Sequence, residues 1–201
     1  MNRVEGFTLI EMALVLLILG LLLGGLLAPL TVQREVAAVK EADRLLAEAE
    51  EALIGYALVN RRLPCPDTDG DGGEEYPCAA TVVARIPWRD LGLRRGGTDP
   101  WGAVLHYGVS GGHAARIDLD TTGTLRVCEE AACATLLATA VPTLILSGGP
   151  RAAALSDEER ENLDRDTTFV LRPPSERFDD RLRWLSTNRL VSRLAAAGVL
   201  P

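Results

Sequence analysis

Residues 6–11 read Gly-Phe-Thr-Leu-Ile-Glu, and they open a long apolar run around which the rest of the chain is organised. From Met12 to Gln33 there are 22 residues without a charged side chain. A helix of that length, rising about 1.5 Å per residue, reaches roughly 33 Å and can cross a bilayer core of about 30 Å. The run therefore predicts a membrane-spanning helix.

Glu11 is the feature of this region that a plain single-pass anchor does not explain. A carboxylate at the edge of a membrane helix costs free energy unless it has a partner. Cleavage of the chain after Gly6 would give Phe7 a positively charged α-amino group. In a filament, the Glu11 of one subunit would then neutralise the Phe7 amine of its neighbour.

The polar leader, residues 1–6, followed by Phe-Thr-Leu-Ile-Glu resembles the start of type IV pilins and type II secretion pseudopilins. In that family a prepilin peptidase cleaves after the glycine on the cytoplasmic side and N-methylates the new first residue. The resemblance implies that Gly6 is the cleavage position, Phe7 the methylated terminus and Glu11 the assembly carboxylate. A secretory signal peptide fits less well, because its apolar region has only about 7–15 residues.

The resemblance also implies a location and a set of partners. We expect a bacterial inner-membrane protein that crosses the membrane once, with its N-terminus in the cytoplasm and its C-terminal domain in the periplasm. Its partners would be the membrane, the prepilin peptidase and other pilin-like subunits, in a filament of one or several kinds of subunit.

Helical periodicity continues beyond the apolar run, with apolar positions recurring every three or four residues as far as Tyr56. The predicted organisation is a leader over 1–6, the membrane and assembly half of one long helix over 7–33, its periplasmic half over 34–62, and a globular β-rich domain over 63–201. The fold class is α+β and pilin-like, with the long helix packed against a small antiparallel sheet. A C-terminal helix is expected over Asn188–Ala197, with Ser186 or Thr187 as its N-cap.

Short apolar segments bounded by turn residues predict the strands of that sheet. We expect an antiparallel meander, and further strands near residues 144–147 and 169–171. A partial helix is predicted over Asp157–Leu163. Residues 99–102, Asp-Pro-Trp-Gly, resemble a signature of the major type II pseudopilin that links into the sheet. The segments expected to build the meander are residues 81–84, 104–109, 116–119 and 125–127.

The four cysteines favour two disulfides, because thiols oxidise outside the inner membrane. Three pairings are possible, and the local one, Cys65–Cys78 with Cys128–Cys133, is preferred because each bond closes a loop rich in turn or polar residues. The alternative is a zinc site, but these spacings are not the usual ones for zinc ligands.

Asp67, Asp69 and Asp71 alternate along a glycine-containing loop, which matches the opening of a calcium-binding loop. The twelfth position, which should supply a bidentate glutamate, is Cys78, so Glu74 or Glu75 would have to complete the ligands. We predict a weak calcium site at Asp67, Asp69, Asp71 and Glu74. The alternative is a solvated acidic turn.

The expected function is structural: a pseudopilin or minor pilin in a type II secretion pseudopilus or a type IV pilus-like filament. The alternative is a module at the filament tip that binds a surface, DNA or a secretion substrate. The net charge of −7 argues against general nucleic-acid binding. The two histidines, His106 and His113, lie in no catalytic pattern, so no enzymatic activity is expected.

Overall fold

The computed structural model describes residues 8–78, 80–150 and 155–200, with side chains for all of these except residues 23–31. The chain divides into two compact units, Met1–Lys40 and Glu41–Pro201. The first element, α1, is a helix over Leu9–Asn60, which confirms the predicted long N-terminal helix. Among the described residues, no helix is both long enough and apolar enough to cross a membrane.

In the described part of the chain, seven strands and three shorter helices follow α1. In chain order they are β1 (Val82–Arg85), β2 (His106–Val109), α2 (Gly111–Ala115), β3 (Leu125–Cys128), β4 (Leu136–Val141), β5 (Thr143–Ser147), α3 (Asp157–Leu163), β6 (Thr168–Val170), β7 (Arg181–Leu185) and α4 (Thr187–Ala196). A long helix, small sheets and a C-terminal helix together confirm the α+β, pilin-like fold class.

The strands form two sheets rather than one meander. The larger sheet is antiparallel throughout, in the order β1-β2-β5-β7. The smaller has the order β4-β3-β6, and its β3–β6 pair is parallel. The predicted meander is therefore wrong at β3, which leaves the larger sheet and forms the centre of the smaller one.

Within the second unit the larger sheet is covered on both faces. Successive strand residues point to opposite faces, and β5 shows this directly, since Ile145 belongs to one buried cluster while Leu144 and Leu146 belong to the other. The first cluster joins the sheet to α1 and α4, through residues such as Leu53 and Leu190. The second joins it to the smaller sheet. All five β5 residues are buried as a result.

The strand predicted over residues 116–119 is not present. Those residues follow the short helix α2, and only Ile117 among them is buried. The alternation of Arg, Ile, Asp and Leu imitates a strand pattern. The Ile117 amide instead donates to the Arg61 carbonyl at the end of α1 (2.8 Å), so this segment closes the helix end.

Both helices expected in the C-terminal third form. Helix α3 begins with a capping box in which Ser156 and Glu159 bond each other's backbone amides. The Ser186 side chain accepts the Arg189 amide at the start of α4, as the sequence predicted. Leu190 and Leu194 are buried in the first cluster, so α4 packs as part of the domain core.

Candidate functional site

The predicted processing residues, Gly6 and Phe7, lie outside the described residues. The assembly carboxylate, Glu11, lies in the first turn of α1 and is exposed. Its Oε2 accepts the Thr8 amide at 3.3 Å, and the Thr8 hydroxyl accepts the Glu11 amide at 3.3 Å. This is a capping box, so within a single chain Glu11 helps to start the helix.

The described apolar side chains that follow Glu11 are uncovered. Every leucine, isoleucine and valine over residues 9–22 is exposed; Leu9 is 89% accessible and Leu17 is 61%. Exposed apolar surface that is contiguous marks a region that another molecule or a membrane covers. The first unit therefore presents an unsatisfied apolar surface with one carboxylate near its start.

A second site is built where α1 ends. Arg62 donates two hydrogen bonds to Glu74, at 2.6 and 2.7 Å, and the Tyr56 hydroxyl donates a third at 2.5 Å. The Cys65 amide also donates to this carboxylate, at 2.9 Å. Burial alone would raise the pKa of Glu74, but these hydrogen bonds and the Arg62 charge together hold it below its usual value.

The Glu74 contacts fix the acidic loop to the helix. The Arg62 guanidinium lies 3.9 Å from the centre of the Tyr76 ring, in a cation–π contact. The disulfide Cys65–Cys78 closes the same loop, with a Cα–Cα distance of 5.8 Å, as predicted. The loop is thus held at both ends and near its middle.

Within the loop, one ligand oxygen each from Asp67, Asp69, Asp71 and Glu75 lies within 4.8 Å of all the others. The structure therefore brings together the three predicted aspartates, but with Glu75 rather than Glu74. The Glu74 carboxylate is instead taken up by its hydrogen bonds from Arg62, Tyr56 and the Cys65 amide. Arg89 lies 3.5 Å from Asp71 and supplies part of the positive charge that this group needs.

Asp99 forms the link that the Asp-Pro-Trp-Gly motif was expected to make. The Asp99 carboxylate is buried and accepts the amides of Trp101 and Ala103, while its other oxygen accepts the Ser147 hydroxyl of β5 at 2.8 Å. Trp101 itself is only half-buried. The motif thus joins its turn to the larger sheet through the aspartate.

Tyr107, shortly after the motif, is fully buried in β2 and donates to the Pro64 carbonyl at 3.0 Å. The second predicted disulfide, Cys128–Cys133, also forms, with a Cα–Cα distance of 5.1 Å. It closes the short connection between β3 and β4.

A salt-bridge cluster on α1 was not anticipated from the sequence. Glu50 is 2% exposed and pairs with Arg183 of β7 and Arg189 of α4. Its neighbour Glu51 pairs with Arg189 and Arg193 at the surface. The available signal was two adjacent glutamates on the long helix and three arginines at positions 183, 189 and 193, but no local pattern in the sequence brings these two segments together.

Comparisons with known proteins identify the family to which the chain belongs. Residues 1–27 match the family model of the prokaryotic N-terminal methylation motif. The type II secretion system core protein G of Aeromonas hydrophila is 33% identical over 123 residues, which is 61% of this chain and 84% of that protein. The chain belongs to the core protein G family.

Two further members support the assignment. The core protein G of Dickeya chrysanthemi is 31% identical over 122 residues, covering 61% of this chain and 78% of that protein. The core protein G of Vibrio cholerae is 32% identical over 124 residues, which cover 61% of this chain and 82% of that protein. No solved structure is significantly similar to the chain.

Membership of this family confirms the resemblance drawn from residues 6–11 and the prediction of a structural pseudopilin. The family comprises structural subunits, which supports the expectation that the chain is not an enzyme. It does not favour the alternative of a tip module that binds DNA, a surface or a substrate.

Proposed function

We propose that this pseudopilin is cleaved after Gly6, methylated on Phe7, and drawn from the inner membrane into a pseudopilus by its N-terminal helix. Before assembly it crosses the membrane once, with its N-terminus in the cytoplasm and its second unit in the periplasm. The prepilin peptidase and neighbouring pilin-like subunits are its partners. The observation that carries the proposal is the uncovered apolar surface of residues 9–22 with Glu11 at its edge.

This apolar surface is covered by different molecules in the membrane and in a filament. In the membrane, lipid covers the leucines and isoleucines; in a filament, the same side chains of neighbouring helices replace lipid. Glu11 gains a partner only in the second case, because the Phe7 amine of a neighbour lies at the same end of the helix. A charge pair of this kind sets the register between subunits, and it disfavours any arrangement that leaves Glu11 without its partner.

Glu11 both caps the helix and carries a negative charge, so the test needs a variant that changes only the charge. We expect Glu11→Gln to keep the capping box, since glutamine serves at this position as well as glutamate. The charge pair is lost, however, so incorporation into filaments should fall at least tenfold while membrane insertion and cleavage continue. Incorporation is measured by immunoblotting sheared filaments against the cell-associated pool.

Thr8→Ala is the matched control, because it removes the hydroxyl that caps the Glu11 amide and leaves the carboxylate with its bond from the residue 8 amide. It should incorporate much better than Glu11→Gln. Normal incorporation of Glu11→Gln would contradict the assembly role of the charge, and poor incorporation of Thr8→Ala alone would show that the cap is what matters.

We propose in addition that the acidic loop binds Ca²⁺ weakly, through Asp67, Asp69, Asp71 and Glu75. Carboxylate oxygens within 4.8 Å of one another can converge on a cation that binds oxygen at about 2.3–2.6 Å. Arg89 competes for Asp71, which favours weak rather than tight binding. The cation would stiffen the loop that the Cys65–Cys78 disulfide already closes.

A further inference from the structure

The two sheets have four outer strands, β1, β7, β4 and β6, and their free edges are covered in different ways. The edge of β1 bonds Asp67, whose backbone amide and carbonyl pair with Arg85 at 3.0 and 3.1 Å. The edge of β6 bonds Asn162, whose side chain accepts the Val170 amide and donates to the Val170 carbonyl. The strand β7 carries two arginines, and charged residues on an edge strand discourage further pairing.

The strand β4 has neither a charged residue nor, in the described part of the chain, a backbone partner other than the β3 side. It belongs to residues 131–150, a stretch of 20 residues without a charged side chain. Leu136 is 50% exposed and Leu137 is 45% exposed. A side chain covers the edge at the Ala140 carbonyl, which accepts the Thr187 hydroxyl at 3.1 Å. The rest of this uncharged edge can take another strand through main-chain hydrogen bonds.

The sequence of β4 is suited to pairing with a copy of itself. Residues 135–139 read Thr-Leu-Leu-Ala-Thr. In an antiparallel pair centred on Leu137, each threonine lies opposite a threonine, Leu136 lies opposite Ala138, and Leu137 lies opposite its own copy. Threonine pairs and apolar pairs across strands are favourable, and no like charges meet. A second copy of β4 brings its own free edge, so a single contact covers both edges.

The irregularity of β4 limits how long such a pair can be. The β3–β4 ladder has two register shifts, so β4 contains residues that no β3 residue opposes. Shifts of this kind bend an edge strand, and Thr187 already covers the carbonyl of Ala140. We therefore expect a short pair over residues 135–139. A contact of this size gives a weak dimer.

We propose that two copies of this chain pair through β4, antiparallel and about a two-fold axis at Leu137. The two smaller sheets then join into one sheet in the order β6-β3-β4-β4-β3-β6. A two-fold contact is closed, whereas a helical filament is built from head-to-tail contacts. The β4 pair is therefore a contact between subunits outside the filament, and it goes beyond the proposed function.

Crosslinking of one cysteine variant to itself tests the pairing. Residues directly opposite each other in an antiparallel pair have Cα atoms about 4.5–5.5 Å apart, which suits a disulfide. The unit 41–201 holds every residue of both buried clusters, so it folds without residues 1–40, and the described residues contain no free cysteine. Leu137→Cys should give disulfide-linked dimers on mild oxidation. Leu119→Cys is the matched control, because Leu119 is 55% exposed but lies in no strand, and it should stay monomeric.

Sedimentation of the unit 41–201 with its cysteines unchanged gives a second readout. Its weight-average mass should rise towards that of a dimer as the concentration approaches the millimolar range. Leu137→Lys should weaken dimerisation about tenfold or more, because it places a charge against apolar side chains, and Leu119→Lys should leave it unchanged.

Three results would overturn the inference: a unit that stays monomeric, a dimer that Leu137→Lys leaves intact, or equal crosslinking of the two cysteine variants. None of these results bears on the incorporation of Glu11→Gln into filaments. The β4 pairing and the proposed function therefore fail separately.

Discussion

The two halves of α1 differ in what covers their apolar side chains. Residues 9–22 leave every leucine, isoleucine and valine exposed, whereas the half in the second unit buries Leu46, Ala49, Leu53 and Ala57 under the larger sheet and α4. The same helix thus has one segment whose apolar side chains are covered within the chain and one described segment whose apolar side chains are exposed. The second half therefore holds the domain together, while the exposed apolar side chains of the first half agree with the proposed packing against lipid or neighbouring helices.

The largest expected effect comes from truncating the covered half. Leu53→Ala should destabilise the second unit by about 3 kcal/mol, because Leu53 is completely buried and its removal leaves a cavity. Leu17→Ala, on the exposed half, should leave the unfolding midpoint unchanged. Urea unfolding of both variants measures the difference, and equal loss of stability would contradict the division of roles.

A buried histidine near the end of the covered half should make its stability depend on pH. Both ring nitrogens of His113 are buried without a hydrogen-bond partner among the described residues, and burial lowers the pKa of His113 to about 4. The unfolded state, with a pKa near 6.5, takes up the proton first. Stability from this group is therefore complete above pH 6.5 and falls by about 3 kcal/mol as the pH drops towards 4.

The measurement compares wild type with His113→Leu over that pH range. The variant should lose less stability between pH 6.5 and 4 than wild type does, although its carboxylates still titrate. Parallel pH profiles for the two proteins would show that protonation of His113 does not cause the loss of stability at low pH.

A smaller effect is expected from the salt bridges that join the covered half to the C-terminal segment. Glu50→Ala should cost about 2 kcal/mol, since it leaves Arg183 and Arg189 without their shared buried carboxylate, although both can turn partly to solvent. Glu51→Ala removes only exposed pairs and should cost below about 1 kcal/mol. Thermal unfolding of the two variants ranks them, and a Glu51 effect as large as that of Glu50 would contradict the assignment.

The smallest expected effect is that of calcium on the acidic loop. Several millimolar Ca²⁺ should raise the melting temperature of the second unit by a few degrees, through binding to the folded state alone. Asp69→Ala with Asp71→Ala should abolish the shift, and Glu74→Ala should keep it while lowering the starting stability. If Ca²⁺ neither shifts the melting temperature of the wild type nor gives binding heat, the loop is a solvated acidic turn without a calcium site.

Much of the fold was predictable from the sequence because its signals are local. The uncharged run and the repeat of apolar positions predicted α1, and Ser186 was one of the two residues expected to cap the C-terminal helix. The cysteine pairing followed from the two short loops. These features depend on residues near one another in sequence.

The rest depends on contacts between distant segments, which local patterns do not encode. The apolar β4 segment carries no alternation, so its place at the edge of a second sheet was missed. Ile117 looked like a strand residue, yet it closes the end of α1. Likewise Glu74 and Glu75 are equivalent in the sequence, and the contacts of Glu74 with Arg62, Tyr56 and Cys65 leave Glu75 beside the aspartates.

The intact mass of the native protein recovered from sheared filaments tests the central claim most directly. The recovered chain should begin at N-methylated Phe7, and Gly6→Val should leave an uncleaved precursor in the membrane. A filament protein whose mass retains residues 1–6, in cells with an active prepilin peptidase, would contradict the proposed cleavage and assembly.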